Sequence, residues 1–244
     1  MYKASDLTND LIKLGLKKTD TVLIHSSCKS IGEVEGRADT ILDVFMNYFG
    51  QDGLVVFPTL TWRDVNDKQP YFNVKETPSC VGILPELFRL RSGVIRSLHP
   101  THSVAAFGHK AKEFTQGNEK LNTPCGVNSP WWRLMEYGGK ILFIGTNGIS
   151  CNTFCHGVDE WTNEPDILTV KPQELFIIDE EGNTIPRPLH RHARPRNAVF
   201  GSYENLFKEH NAISYGKFGD ANSFLLDSRK IAAALGVKVP DLKA

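Results

Sequence analysis

Apolar positions change their spacing several times along the chain, and each change marks an element. Leu7, Leu11, Ile12 and Leu14 fall at helical spacing behind Ser5 and Asp6, either of which suits a cap, and Gly15 is placed to stop the helix. TVLIH (21–25) is a short unbroken apolar run ending in a histidine, the pattern of a buried strand. A Ser- and Gly-rich stretch, SSCKSIGEVEG, separates it from a helix over 37–49 with Ile41, Val44, Phe45 and Tyr48 on one face. Gly50 to Gly53 make a turn, and LVVFP (54–58) is a second buried strand. Helix, strand, polar loop, helix, strand is the order of an α/β sheet with helices on its faces.

Periodicity then lapses. Residues 59–80 predict a long functional loop. Gly82 to Arg91 predict a helix, and SVAAF (103–107) and KILFIG (140–145) further strands. In SPWWRLMEYGG a proline follows a serine, as at a helix start. ELFIIDEEGNTIP (174–186) has two strand-like halves around EEGN, a hairpin signal. The stretch from Asp220 to Gly236 predicts a helix capped by Asp220. With no repeat or linker in view, the expectation is one domain over 1–244.

Composition narrows the function classes. Lys+Arg and Asp+Glu are equal at 28 each, which argues against a nucleic-acid binder. No apolar run reaches the roughly 18–20 residues of a membrane span. MYKASDLTNDLIKLG has no hydrophobic signal core, so the expected location is cytoplasmic. The five cysteines, Cys28, Cys80, Cys125, Cys151 and Cys155, form no CxxC pair and read as free thiols.

Four stretches could carry chemistry. His25 ends a strand and opens the loop HSSCKSIG, whose hydroxyls, lysine and backbone N–H groups suit a phosphate, or simply link strand to helix. The loop is neither a Walker loop nor a GxGxxG fingerprint. His99 and His102 flank Pro100-Thr101; without a third ligand zinc is a poor reading, and a structural turn and a ligand-binding turn both stay open. In NTFCHGVDEW (152–161), His156 is followed by Asp159 and Glu160, which share its face if the segment is helical. A carboxylate beside an imidazole makes a general base, and it also makes a plain surface ion pair. Cys155 points about 100° away from its helical neighbour His156, and HGVDE lacks the HExxH order of zinc hydrolases. RPLHRHARPR (187–196) packs four arginines and two histidines, as either a solvated loop or a patch for an anionic substrate.

Taken in series, HSSCKSIGEVEGRADTILDVF, PTLT, RSLHPTHSVAAFG, TPCGVNSPWWRL, GGKILFIG and NTFCHGVDE resemble the aminoglycoside 3-N-acetyltransferase family from about residue 5 to about residue 235. The resemblance implies a three-layer α/β/α fold with a mixed central sheet, and an acetyl-CoA-dependent N-acetyltransferase without a covalent enzyme intermediate or a metal. It implies His25 at the active site. CoA is expected against Ser26, Ser27, Lys29 and Ser30, and against Thr123, Gly126, Ser129 and Pro130. His102, Ser103 and Val104 are expected beside the thioester, with backbone N–H groups at Ser103-Val104 facing the oxyanion. His156 matches the family's general base. The glutamate of the family's HxxE pattern is Asp159 here, with Glu160 behind it, and either acid is expected to orient His156. The expected partners are CoA and a small amine, with no nucleic acid or membrane and a homodimer left open.

The acceptor stays divided. Aminoglycosides are polycations, for which Asp64, Asp67, Asp159, Glu160, Glu164 and Asp166 offer an acidic site, as in an antibiotic-resistance enzyme. Arginines of RPLHRHARPR bordering the cleft would instead favour an anionic amine such as a nucleotide-linked amino sugar. A CoA-binding protein with little transfer activity, and an acyl hydrolase using Cys155, are the readings from other classes.

Overall fold

Successive strand residues face opposite sides of a sheet, so unbroken apolar runs demand cover on both faces. The computed structural model describes residues 1–242, leaving the last two residues of the expected 1–244 domain outside the described residues. The chain runs α1 (Ala4–Lys13), β1 (Thr21–Ser26), α2 (Arg37–Phe49), β2 (Leu54–Pro58), β3 (Tyr71–Asn73), α3 (Ile83–Arg89), β4 (Ile95–Arg96), β5 (Val104–Gly108), α4 (Ala111–Thr115) and α5 (Pro130–Glu136). It continues through β6 (Lys140–Ile144), α6 (Thr153–Trp161), β7 (Phe176–Ile178), β8 (Thr184–Pro186), α7 (Asn197–Ser202), α8 (Glu204–Glu209), β9 (Ile213–Phe218), β10 (Ala221–Asp227) and α9 (Ser228–Ala234).

Seven strands form one mixed sheet in the order β4-β5-β2-β1-β6-β10-β9. β1 is parallel to both β2 and β6, while β5 and β10 run antiparallel to β2 and β6. Alternate residues feed two cores. Val22, Ile24, Val55, Phe57, Leu142 and Ile144 pack under α1, α2 and α3. Leu23, Leu54, Val56, Ile141 and Phe143 pack under α4 to α9. This is the expected three-layer α/β/α arrangement. A second sheet, β3-β7-β8, carries a smaller core of Val65, Phe72, Val74, Leu175, Ile177 and Leu189. The hairpin expected around EEGN is its β7-β8 pair, and the expected loop over 59–80 holds β3.

Two local expectations need correction. The first helix is capped at Lys3, and Asp6 reaches back from the third helical position to accept the Lys3 N–H at 2.8 Å, so neither Ser5 nor Asp6 is the cap residue. Asp220 to Gly236 is not one helix. Residues 221–227 form β10 against β6 and β9, and Asp227 caps the short α9 by accepting from the Arg229 and Lys230 N–H groups. Among the described residues no helix is long and apolar enough to cross a membrane, and all five cysteines are free.

Candidate active site

The parallel strands β1, β2 and β6 end at one edge of the sheet, where open α/β sheets gather ligands. The chain leaves β1 through a tight turn at Cys28–Ile31 that lies on the end of β6. Gly145 permits this close approach: its φ is +60°, and a Cβ there would meet Ser30 Cβ at 2.2 Å. Ser30 Oγ bonds Ser27 Oγ at 2.9 Å and Gly145 O at 3.1 Å, so both hydroxyls hold the loop.

A cavity of about 250 Å³ opens at these strand ends, walled by His25, Ser26, Pro58, His102, Thr146 and His156. A second, of about 310 Å³, lies between Trp62, His102, His156 and the Arg191–Pro195 segment. Trp62, His102 and His156 belong to both. Three buried polar atoms on this wall have no partner among the described residues: His25 Nε2, Ser26 Oγ and His156 Nδ1. An unpaired buried polar group is costly and marks a place for a polar ligand.

The histidines are held by different means. His25 stacks on Phe143 of β6 with ring centroids 4.7 Å apart, and burial pushes it down to about 3. His156, on the first turn of α6, is pushed to about 3 by burial, with His192 and Arg196 adding to the effect. It is therefore a neutral imidazole at neutral pH. His99 Nδ1 accepts from the Thr101 and His102 N–H groups, at 3.2 and 2.9 Å, which leaves Nε2 to donate to Thr123 O at 3.2 Å. Thr61 Oγ1 ties Pro100 O at 2.5 Å. The His99–His102 bend is thus a rigid turn that presents His102 to both cavities.

Neither acid of NTFCHGVDEW meets His156, which corrects the expected pairing. Asp159 takes both Nε (2.9 Å) and Nη2 (3.0 Å) of Arg196. Glu160 Oε1 accepts from the Cys125 N–H and from His192 Nε2, each at 2.8 Å. His192 in turn lies on His156, centroids 4.2 Å apart. The carboxylate that serves this site therefore acts on a second imidazole, His192 of the RPLHRHARPR stretch, which the sequence did not pair with either acid. Cys125 Sγ, Glu160 and His192 also lie within 4.8 Å of one another. The Glu160–His192 bond is already made, however, and burial pushes the Cys125 thiol well above its ordinary value.

Other expected positions divide. Of those assigned to CoA or the thioester, Ser26 and His102 line the first cavity. Lys29 is exposed on the loop. Ser103 Oγ is spent on Thr59 O at 2.7 Å. The Val104 N–H is spent on Ser97 Oγ at 3.0 Å, which removes it as an oxyanion donor. Thr123 accepts from His99, and Gly126 sits against Thr123 Oγ1. Ser129 caps α5 and Pro130 is its buried first residue, so both are structural. Cys155 is 1% exposed, and burial pushes its thiol far above the ordinary range, leaving no thiolate for a hydrolase. Trp62, Arg191 and His192 complete the site; Arg191 and His192 come from RPLHRHARPR, which the sequence left open as a solvated loop or an anion patch, and no local signal distinguished Trp62.

A family model described as aminoglycoside 3-N-acetyltransferase matches residues 23–237. Aminoglycoside N(3)-acetyltransferase VII of Streptomyces paromomycinus is 28% identical over 192 residues, covering 72% of this chain and 66% of that protein, just under two thirds of its length. The SPbeta prophage-derived aminoglycoside N(3')-acetyltransferase-like protein YokD of Bacillus subtilis (strain 168) is 27% identical over 237 residues, covering 88% and 84%. The structure of AAC-IIIb in a binary complex with CoASH matches with a TM-score of 0.81 at 25% identity, over 96% of this chain and 94% of that one.

Proposed function

The chain belongs to the aminoglycoside 3-N-acetyltransferase family, and on that premise we propose that it moves acetyl from acetyl-CoA to the amino group of a small amino sugar. The observation that supports this most is that His156 lines two cavities at once. An acyl donor in one and an amine in the other would meet at its ring.

The first cavity suits the thioester end of CoA. Its unpartnered His25 Nε2 and Ser26 Oγ offer polar contacts to the pantetheine arm, and exposed Lys29 is available to a phosphate outside. Acetyl-CoA supplies the activated acyl carbon: the amine nitrogen bonds to it, the C–S bond breaks, and the sulfur keeps that electron pair. His156 takes the N–H proton as the amine becomes an amide and returns it to the leaving thiolate, ending as it began. Its low basicity suits a proton made acidic by attack rather than one on a free ammonium. His102, fixed by the Thr101–His99 turn, and the His192–Glu160 pair bound the same space. Asp159 serves through Arg196 rather than through His156.

Thiol release from acetyl-CoA with a panel of amino sugars tests the reading, with His156→Ala alongside. Turnover in the parent chain and a loss of about 10²- to 10⁴-fold in the variant is the expected result. No thiol release with any amine would overturn the transferase reading, and undiminished turnover in His156→Ala would overturn the assignment of the base.

A further inference from the structure

Resting on the transferase reading, we infer that the acceptor is an amino sugar bearing an anionic group, such as a phosphate or a nucleoside diphosphate, seated beside Arg191, and not a polycationic aminoglycoside. The second cavity carries the inference. Its wall holds Trp62, Arg191, Arg194 and His192 with four further residues, none of them acidic, and among the described residues no carboxylate lines either cavity. A ligand with several ammonium groups finds nothing there to neutralise it.

The acids that the sequence offered are spent or remote. Asp64 is paired with Arg63, and Asp67 accepts from Gln173 Nε2. Glu160 is held through Oε1 by Cys125 and His192, its Oε2 is buried without a partner among the described residues, and neither Glu160 nor the exposed Asp166 lines either cavity. Asp159 is held by Arg196, and Glu164 by Arg194 and Arg196.

Among the described residues Arg191 forms no ion pair, although the charge of Asp67 acts on it. Its Nη1 donates to Val65 O (3.0 Å) and Gln173 Oε1 (2.7 Å), and its Nη2 to Trp62 O (2.6 Å). Three of five guanidinium donors are used, all on neutral acceptors, and two remain for a ligand. Asp67, whose charge acts on Arg191, shares with it a separate depression and does not line the cavity beside Trp62. The Nη2 bond also anchors the backbone of Trp62, a residue 45% exposed that lines both cavities. A flat exposed ring beside a fork of donors fits a sugar carrying an anion: the ring covers the sugar face, and the fork takes the oxygens.

The same fork could meet a phosphate of CoA, and the experiment separates the two sources. Initial rates of thiol release are measured with glucosamine, glucosamine 6-phosphate, a nucleotide-linked amino sugar and a polycationic aminoglycoside, varying acceptor and acetyl-CoA in turn. The anionic acceptors are expected to have kcat/KM values about 10- to 100-fold above glucosamine, with the aminoglycoside below it. Arg191→Gln is expected to narrow that ratio about tenfold or more, and the exposed Arg194→Gln, which leaves the Trp62 anchor intact, to narrow it less. A higher KM for acetyl-CoA with the acceptor ratio unchanged would assign Arg191 to CoA and overturn the inference. Preferred turnover of the aminoglycoside would overturn it while leaving the transferase standing. Silence with every amine would remove the transferase reading as well.

Discussion

The imidazole of His192 lies flat on that of His156, with ring centroids 4.2 Å apart and planes 14° from parallel. Two stacked imidazoles cannot both hold a proton cheaply, and only His192 has a carboxylate, Glu160, at 2.8 Å. His192 is one of the groups that hold His156 low. His192→Phe keeps the stacked ring and removes the chargeable nitrogen, so it is expected to raise the His156 pKa above about 3 and to lower kcat/KM by about tenfold. A proton NMR titration of the imidazole resonances reads the first effect. An unmoved His156 would mean that the stack is packing alone.

The pH profile follows from the same low value. A base titrating at about 3 is unprotonated across neutral pH, so its ionisation gives no inflection between pH 5 and 9, a window set by the ordinary histidine range of about 6.5. The acid limb of kcat/KM then belongs to the acceptor: the ammonium form cannot attack, and log(kcat/KM) rises with pH until the amine is free. Acceptors of different amine pKa should shift the limb by their difference. A fixed inflection near 6.5 with every acceptor would assign the limb to the enzyme.

Buried neutral histidines also set the acid stability. His25 and His156 are pushed to about 3 and His99 to about 4, each mainly by burial. In the unfolded chain they titrate near 6.5, so between that value and 3–4 the unfolded state binds more protons and stability falls as pH falls. Each costs about 1.4 kcal/mol per pH unit in that window, so three together are of the order of total domain stability by about pH 5. Thermal melts should show Tm flat from pH 8 to 7 and dropping steeply below pH 6. A Tm unchanged at pH 5 would mean that these rings gain water or partners when protonated.

Much of this fold was legible because the strands β1, β2, β5 and β6 are short apolar runs and α2, α5 and α6 carry their own periodic faces or caps. The 220–236 segment misled because SFLL satisfies either period over so few residues; the Asp227-Ser228 pair inside it was the usable sign of a helix start. The site was legible only in part. His25, His102 and His156 sit beside local motifs. The partners of Asp159 and Glu160 are 37 and 32 residues away, supplied by a stretch whose composition left a solvated loop and an anion patch both open. Pairing across such separations is fixed by tertiary packing, and no local spacing encodes it.

The Asp159–Arg196 pair has a stability signature that separates it from the catalytic groups. Both side chains are under a tenth exposed, with Arg196 also 3.1 Å from Glu164. Arg196→Met leaves Asp159 buried without a counter-ion and is expected to cost about 3 kcal/mol, whereas Asp159→Asn leaves Arg196 its second acid and should cost less. Urea midpoints at constant slope measure both. A collapse of kcat in Asp159→Asn without loss of stability would restore Asp159 as a partner of the base.

Ser129 offers a clean separation between binding and architecture. Its Oγ accepts from the Trp132 N–H at 3.2 Å, its side chain is fully buried, and Pro130 follows at the first helical position with fixed φ. α5 carries Trp131, Leu134 and Met135 into the core beneath the sheet, so fraying its first turn loosens packing on the layer that also holds α6 and His156. Ser129→Ala is therefore expected to cost about 1 kcal/mol of stability and to leave the KM for acetyl-CoA unchanged. Ser129→Asp should recover the stability, because a carboxylate caps as well as a hydroxyl and favours the positive end of the helix. Had Ser129 bonded CoA directly, the order would reverse: alanine would raise the KM at little cost in stability, and aspartate, placing a negative charge beside the phosphates, would raise it further.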